Sequence, residues 1–148
     1  GMSMELIKKY AGSIPIFGVC LGMQAIAEVF GTPIRPLSID QIVHGGASQI
    51  KHDGQTIFAG LPQGFQAARY HSLGAYATKV GGDLQVSATT IAPATNREIV
   101  MGLRHVKYKV EGVQFHPESV LTLRGENGRK LVENVINYMT EATFKNKE

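Results

Sequence analysis

A lone cysteine stands between two glycines in the run Gly18-Val19-Cys20-Leu21-Gly22. A β-branched apolar stretch precedes it and an amphipathic stretch follows, so Cys20 lies at a predicted junction of strand and helix. A nucleophile in such a turn projects from the carboxyl end of the strand, and the free N–H groups and positive dipole end of the helix face its sulfur. We expect this setting to lower the pKa of Cys20 and the Leu21 N–H to face a developing oxyanion.

A histidine and a carboxylate follow another predicted strand, in Gln114-Phe115-His116-Pro117-Glu118-Ser119. A cysteine nucleophile needs a base that takes and returns a proton, and the base needs a group that fixes its tautomer. His116 and Glu118 suit those two roles near neutral pH. Each motif has an ordinary alternative, a buried structural cysteine for Cys20 and a simple turn for His-Pro-Glu. The presence of both motifs in one chain favours a catalytic role over these alternatives.

Hydrophobic periodicity predicts the elements that must position these motifs. Helices are expected over 4–10, 21–30 and 127–144, and strands over 14–19, 39–50, 55–58, 65–70, 84–90, 99–105 and 110–115. Asp53-Gly54 is a turn signal between two of the strands. One face of the closing helix carries Leu131, Val135, Tyr138 and Met139. This order predicts a single α/β domain over 1–148, with a mixed sheet flanked by helices.

Composition bounds the function classes. The chain has 148 residues, 43% of them hydrophobic, and a formal net charge of +3, so a packed core is expected. The densest basic stretch, Arg104 to Lys109, is interpreted as a solvated turn, and nucleic-acid binding is disfavoured. One cysteine excludes an internal disulfide and fits the reducing cytoplasm. The most apolar stretch, Ile14 to Phe30, is too short and polar to span a membrane. Five scattered histidines do not predict a metal site.

Together the two motifs resemble the nucleophile and histidine-glutamate motifs of class I glutamine amidotransferases. The resemblance implies that Cys20 attacks the side-chain amide of L-glutamine and forms a glutamyl thioester. His116 then protonates the departing ammonia and activates water, while Glu118 holds His116. It also implies a three-layer, flavodoxin-like fold with a largely parallel mixed sheet, and no cofactor for this half-reaction.

The segment Ala68-Arg69-Tyr70-His71-Ser72-Leu73 is similar to one found in the glutaminase components of anthranilate and aminodeoxychorismate synthases. By that resemblance the substrate glutamine is bound by Leu21, Gln24, Ser72 and Leu73. Ammonia would pass to a chorismate-using synthase subunit, for tryptophan or folate biosynthesis. Arg104 to Lys109 and the loop 91–97 are surface candidates for that interface. His71 is interpreted as structural.

Met23 departs from this branch, which usually has histidine there, whereas methionine is common in other class I amidotransferases. Another amidotransferase of this class, or a related cysteine hydrolase, is therefore the alternative function. The family domain also begins with strand-helix units and a Gly-Pro-Gly oxyanion loop, and nothing in Gly1 to Pro15 matches them.

An N-terminally truncated domain is therefore expected, with little or no glutaminase activity on its own. An exposed sheet edge would favour a homo-oligomer. A catalytically incompetent fragment, serving only as an interaction module, is the remaining alternative.

Overall fold

The computed structural model describes residues 1–38, 41–92, 95–119 and 124–147. Within these ranges the helices are α1 (Met2–Tyr10), α2 (Leu21–Val29) and α3 (Asn127–Lys147). The strands are β1 (Ile16–Val19), β2 (Arg35–Pro36), β3 (Val43–His52), β4 (Phe65–His71), β5 (Leu73–Gly74), β6 (Leu84–Ile91), β7 (Glu98–His105) and β8 (Val110–Val113). Short 3-10 helices span Thr56–Phe58, Ala77–Lys79 and Arg124–Glu126.

Six of the strands form one curled sheet in the order β1-β8-β7-β6-β3-β4, and β2 pairs with β5 separately. An isolated bridge between Ala68 on β4 and His116 brings the far strand back towards the end of β8. The α/β class with a mixed sheet is confirmed. The expected predominance of parallel pairs needs correction, because among the described strands only β1 and β8 pair in parallel. Short connections join β6, β7 and β8, and such connections join antiparallel neighbours.

Two buried clusters lie on opposite faces of this sheet. Residues alternate between them along β7, with Ile99 and Met101 in one cluster and Val100 in the other. The first cluster packs against α3 through Leu131, and the second packs against α1 and α2. Helices therefore cover both faces and produce three layers. Leu131 is fully buried, and Val135 and Tyr138 pack beside it, so three residues of the predicted apolar face of α3 lie as expected.

The prediction of a strand over 55–58 is wrong. Thr56–Phe58 forms a 3-10 helix whose Ile57 and Phe58 side chains are buried in the core. The Asp53 side chain accepts the Gln55 N–H at 3.0 Å, which turns the chain away from the ladder directly after β3. The strand predicted over 39–50 corresponds to β3, which begins at Val43. Ile39 and Asp40 lie outside the described residues.

The stretch interpreted as a solvated basic turn begins inside the core. Arg104 and His105 are buried at the end of β7, and Arg104 is ion-paired with Asp53 and Glu111. Arg104 is therefore excluded as a surface candidate for a partner interface. In the other candidate segment, 91–97, Pro93 and Ala94 lie outside the described residues. In the part of the chain that the structure describes, no helix is long and apolar enough to cross a membrane.

Candidate active site

The cysteine elbow is built by close backbone packing. Cys20 caps α2 directly after β1, with φ 54° and ψ −103°, a strained conformation for a residue other than glycine. A Cβ at Gly18 would lie 2.5 Å from the carbonyl carbon of Gly22, so Gly18 must lack a side chain. A Cβ at Gly22 would meet no atom within 4 Å. Of the two glycines that flank the cysteine, the first is the one that the turn requires.

The parallel pairing of β1 with β8 brings the cysteine motif and the histidine-glutamate motif together. Val19 is in register with Val113, and the Cys20 N–H donates to the Val113 carbonyl at 2.8 Å. Because parallel strands end at the same edge, the chain leaves β1 at Cys20 and leaves β8 towards His116 side by side. Met23 lies over Gly112 of β8, where an added Cβ would approach the Met23 side chain to 2.9 Å.

A cavity of about 450 Å³ opens over this edge of the sheet. Its lining contains six of the seven residues that the sequence assigned to the site: Cys20, Leu21, Gln24, Ser72, Leu73 and His116. The seventh, Glu118, touches His116 from outside. A cavity of this size can hold a small molecule.

His116 is held from three sides. Its Nδ1 lies 2.7 Å from Glu118 Oε1, its backbone N–H donates to the Ala68 carbonyl at 3.0 Å, and the Tyr70 ring meets its ring edge-on at 5.5 Å between centroids. An ionised carboxylate can accept hydrogen bonds but cannot donate them. With Glu118 ionised, the hydrogen bond therefore requires the His116 proton on Nδ1, and Nε2 is the basic nitrogen. The histidine is half-buried and Glu118 is mostly exposed, with side-chain exposures of 29% and 63%.

The segment Ser72-Leu73 forms the exposed rim of the cavity. The Leu37 N–H donates to the Ser72 carbonyl at 2.9 Å, which ties the rim to β2. From below, Gln24 Nε2 donates to the Leu73 carbonyl at 3.1 Å and also lies 3.2 Å from Gln114 Oε1. Gln24 is buried, so besides lining the cavity it supports the rim.

Burial raises the pKa of the Cys20 thiol above its ordinary value. Hydrogen bonds from the Leu21 N–H and the Gln114 amide lower the pKa, but the desolvation of the thiolate outweighs them, and the negative charge of Glu118 raises it further. The expectation of a lowered pKa is therefore wrong for this structure. The start of the helix acts in the expected direction, but its effect is smaller than that of burial.

Sequence reasoning missed two residues that contact the Cys20 side chain. Gln114 Nε2 lies 3.6 Å from Cys20 Sγ, and Sγ lies 3.9 Å from the Tyr70 carbonyl oxygen, to which it donates. Both residues stood inside the motifs without a role. For Gln114 a signal existed, because an amide at the end of a buried strand must find hydrogen-bond partners.

No group of three or more histidine, cysteine, aspartate or glutamate side chains that could hold a metal ion occurs among the residues that the structure describes.

Comparison with known proteins agrees with this geometry. Residues 1–137 match the family described as glutamine amidotransferase class-I. The chain is 44% identical over 136 residues to aminodeoxychorismate/anthranilate synthase component 2 of Bacillus subtilis, covering 92% of this chain and 65% of that protein. It is 44% identical over 137 residues to anthranilate synthase component 2 of Leptospira biflexa, covering 93% and 65%.

The fold also matches that of a Thermoplasma acidophilum protein described as a candidate GMP synthase subunit. Its crystal structure superimposes with a TM-score of 0.80 at 24% identity, covering 98% of this chain and 66% of that one. The chain therefore belongs to the class I glutamine amidotransferase family. Its relatives in sequence include anthranilate synthase component 2 proteins, and the chain spans about two thirds of the length of the two named above.

Proposed function

We propose that this chain is a glutaminase, which hydrolyses L-glutamine to glutamate and ammonia with Cys20 as nucleophile, His116 as acid and base, and Glu118 as its orienting carboxylate. One observation carries the proposal. Cys20 and a histidine already hydrogen-bonded to a carboxylate line the same cavity, beneath the Ser72-Leu73 rim.

The chemistry follows from these positions. Cys20 Sγ attacks the side-chain amide carbon of glutamine, and its proton moves by way of His116 to the amide nitrogen. The C–N bond then breaks, ammonia leaves and a glutamyl thioester remains. His116 next removes a proton from water, which attacks the thioester and releases glutamate and the thiol. Glu118 stabilises the imidazolium in both steps. The Leu21 N–H, next to the sulfur, is a donor for the developing oxyanion.

The rim and floor of the cavity would select glutamine. Ser72 and Leu73 are exposed at the rim, where they can meet the amino-acid end of the substrate, and Gln24 lies at the floor. Hydrogen-bonding groups at both ends of a small cavity discriminate against analogues that lack a matching polar group. The chemistry needs no cofactor, because every proton transfer is assigned to a side chain.

The ammonia has a proposed destination. Two relatives are named as synthase components, and one of those names pairs aminodeoxychorismate with anthranilate synthase. We extend that role to this chain, as the subunit that supplies ammonia to a chorismate-using synthase in the cytoplasm. Another class I amidotransferase is the alternative, and Met23 at the start of α2 is the residue that favours it.

The test is glutamate release from glutamine by the chain alone and with a chorismate-using synthase subunit, beside Cys20→Ser in both conditions. We expect little release by the chain alone, and release that requires Cys20 when the synthase and chorismate are present. Equal release by Cys20→Ser would refute the glutaminase assignment. Release that requires Cys20 but is unaffected by the synthase would favour the alternative amidotransferase.

Self-association is a further part of the proposal. Among the described strands, β1 pairs with β8 on one side and with no strand on the other. An apolar groove of about 320 Å³ runs beside it between α1 and α2, and Leu6 and Ile14 at its edge are half exposed. A second copy related by a two-fold axis would place the same groove and strand edge against each other.

A further inference from the structure

Gln114 is a buried polar residue in direct contact with the nucleophile. Its side chain has no solvent exposure, its Nε2 lies 3.6 Å from Cys20 Sγ, and its Oε1 lies 3.2 Å from Gln24 Nε2. A buried amide needs partners for its oxygen and its nitrogen. Gln114 meets this need with the sulfur on one side and Gln24 on the other.

The direction of each hydrogen bond follows from a backbone carbonyl, which can only accept. Gln24 places the end of its amide 3.1 Å from the Leu73 carbonyl oxygen, so the atom there must be its nitrogen. The same nitrogen faces Gln114, which must therefore present its oxygen. The remaining nitrogen of Gln114 is thus directed at Cys20 Sγ and donates to it.

The Leu73 carbonyl is itself held in place by a second donor. Arg69 Nε, which can only donate, lies 3.0 Å from His71 Nε2. His71 therefore carries its proton on Nδ1, from which it donates to the Leu73 carbonyl at 2.8 Å. Arg69 is buried and donates as well to Ser48 Oγ and to the Gln41 carbonyl. The buried network thus fixes the tautomer of His71 and the orientation of both glutamines.

We propose that Gln114 is a catalytic residue whose side-chain N–H donates to the sulfur of Cys20 and favours the thiolate during attack, with Gln24 as the residue that positions it. The proposal deepens the glutaminase assignment and rests on Cys20 being the nucleophile. An N–H donor gains strength when its acceptor becomes charged.

The need for such a donor follows from what surrounds the sulfur. The groups that face Cys20 are the Leu21 N–H from α2, the Tyr70 carbonyl from β4, and Gln114, His116 and Glu118 from the segment after β8. A carbonyl and a carboxylate disfavour a thiolate, and so does burial. Gln114 and Leu21 are the donors in this set that oppose those effects without a proton transfer.

The test is direct titration of the thiolate by its ultraviolet absorbance, with Cys20→Ser as the blank. Since the chain has one cysteine, the absorbance that remains after subtraction of the blank, which keeps all five tyrosines, reports Cys20 alone. Gln114→Met removes the donor at similar length, and Gln114→Glu replaces it with an acceptor. We expect the titration midpoint to rise by about one pH unit for Gln114→Met and further for Gln114→Glu, the usual size of a lost hydrogen bond to a charged group. Gln66→Glu, an exposed position on β4, is the matched control and should leave the midpoint unchanged.

Unchanged or lowered midpoints in folded Gln114 variants would overturn the proposal. Circular dichroism checks folding. Gln24→Met keeps Gln114 but removes the donor that fixes it, and should raise the midpoint by a smaller amount. If both Gln114 variants fail to fold, the titration midpoint of Gln24→Met tests the proposal in their place. The titration needs no turnover, so a raised midpoint without glutaminase activity would contradict only the proposed function. Cys20-dependent glutamate release with unchanged midpoints would contradict only the role of Gln114.

Discussion

At the scale of single residues, the proposed mechanism divides the site between groups that react and groups that orient them. In that mechanism His116 supplies the basic nitrogen, and Glu118, the Tyr70 ring and a backbone hydrogen bond hold the His116 side chain and backbone in place. Because Glu118 is mostly exposed, water shares its interaction with His116 and weakens it. Its effect on the rate should therefore be smaller than that of His116 itself.

His116→Asn should lower kcat by about a hundredfold to ten-thousandfold, the usual contribution of a general acid and base. Glu118→Gln should lower kcat less than His116→Asn does. The amide oxygen of the substituted side chain can still accept a hydrogen bond from His116 Nδ1, but it carries no charge to stabilise the imidazolium. Glu5→Gln, at an exposed position on α1, is the matched control. Steady-state glutamate release measures all three. A His116 variant with the kcat of the parent would contradict the assigned role.

Cys20, His116 and Glu118 could be identified from sequence as candidates because the chemistry limits which residue types can act, and the structure brings Cys20 and His116 to one cavity. The contact between Gln114 and Cys20 could not, because it depends on which buried amides meet after packing. The sequence also led to the wrong prediction for the direction in which the pKa of Cys20 shifts. A helix start can be recognised in sequence, but the degree to which the folded chain desolvates the sulfur cannot.

At the scale of elements, the contact between β1 and α2 determines the backbone position of Cys20. The backbone of Gly22 lies against Gly18 so closely that no Cβ fits between them, while Gly22 itself faces open space. The sequence predicted this strand, turn and helix well, since their periodicities differ sharply. It failed for Thr56–Phe58, where the apolar residues pack on the core from a 3-10 turn and not from a strand.

Gly18→Ala and Gly22→Ala should therefore differ. The first should lower the free energy of unfolding by about 1–3 kcal/mol, the usual cost of overpacking, and reduce turnover by displacing Cys20. The second should be neutral or stabilising by up to about 1 kcal/mol, because alanine favours a helix over glycine. Chemical denaturation and glutamate release measure both. Equal losses in the two variants would contradict the packing described for the elbow.

At the scale of the whole molecule, a buried ion network joins distant parts of the chain. Arg104 on β7 contacts Glu111 on β8 at 3.1 Å and Asp53 after β3 at 2.7 Å, and Thr56 Oγ1 donates to Glu111 Oε1 at 2.9 Å. Glu111 is fully buried, and burial raises its pKa above the ordinary value despite the nearby Arg104. Sequence did not predict this network, because Asp53 lies 51 positions from Arg104 and Thr56 lies 55 positions from Glu111 along the chain.

Arg104→Met should lower the free energy of unfolding by about 3–5 kcal/mol, because it leaves the buried Glu111 carboxylate without its cationic partner. Arg129 lies on α3 and its ion pairs are exposed, so Arg129→Met should lower the free energy of unfolding by less than about 1 kcal/mol. The folded-state pKa of Glu111 is raised, so stability falls as pH rises from its unfolded-state pKa through the folded one. The difference in the free energy of unfolding between the parent protein and Arg104→Met should therefore become smaller at acidic pH, where Glu111 is protonated. Equal losses in the two arginine variants would refute the role of the network.

Self-association through the β1 edge is the second prediction at this scale. Light scattering should show a dimer that Leu6→Glu converts to monomer, since the change places a charge on the rim of the apolar groove. Ile136→Glu, at a similarly exposed apolar position on α3, should leave the dimer intact. A monomer at all accessible concentrations would contradict this interface.

If Cys20 is the nucleophile, it forms a covalent glutamyl intermediate, which acid-quenched mass spectrometry of the chain mixed with glutamine can detect. A trapped adduct reports a single turnover, so slow chemistry does not hide it. His116→Asn should accumulate the adduct if thioester hydrolysis slows more than its formation. We expect a glutamyl group on the peptide that contains Cys20 and none on the same peptide of Cys20→Ser. Glutamate formed without an adduct in the parent protein, and equally by Cys20→Ser, would contradict it.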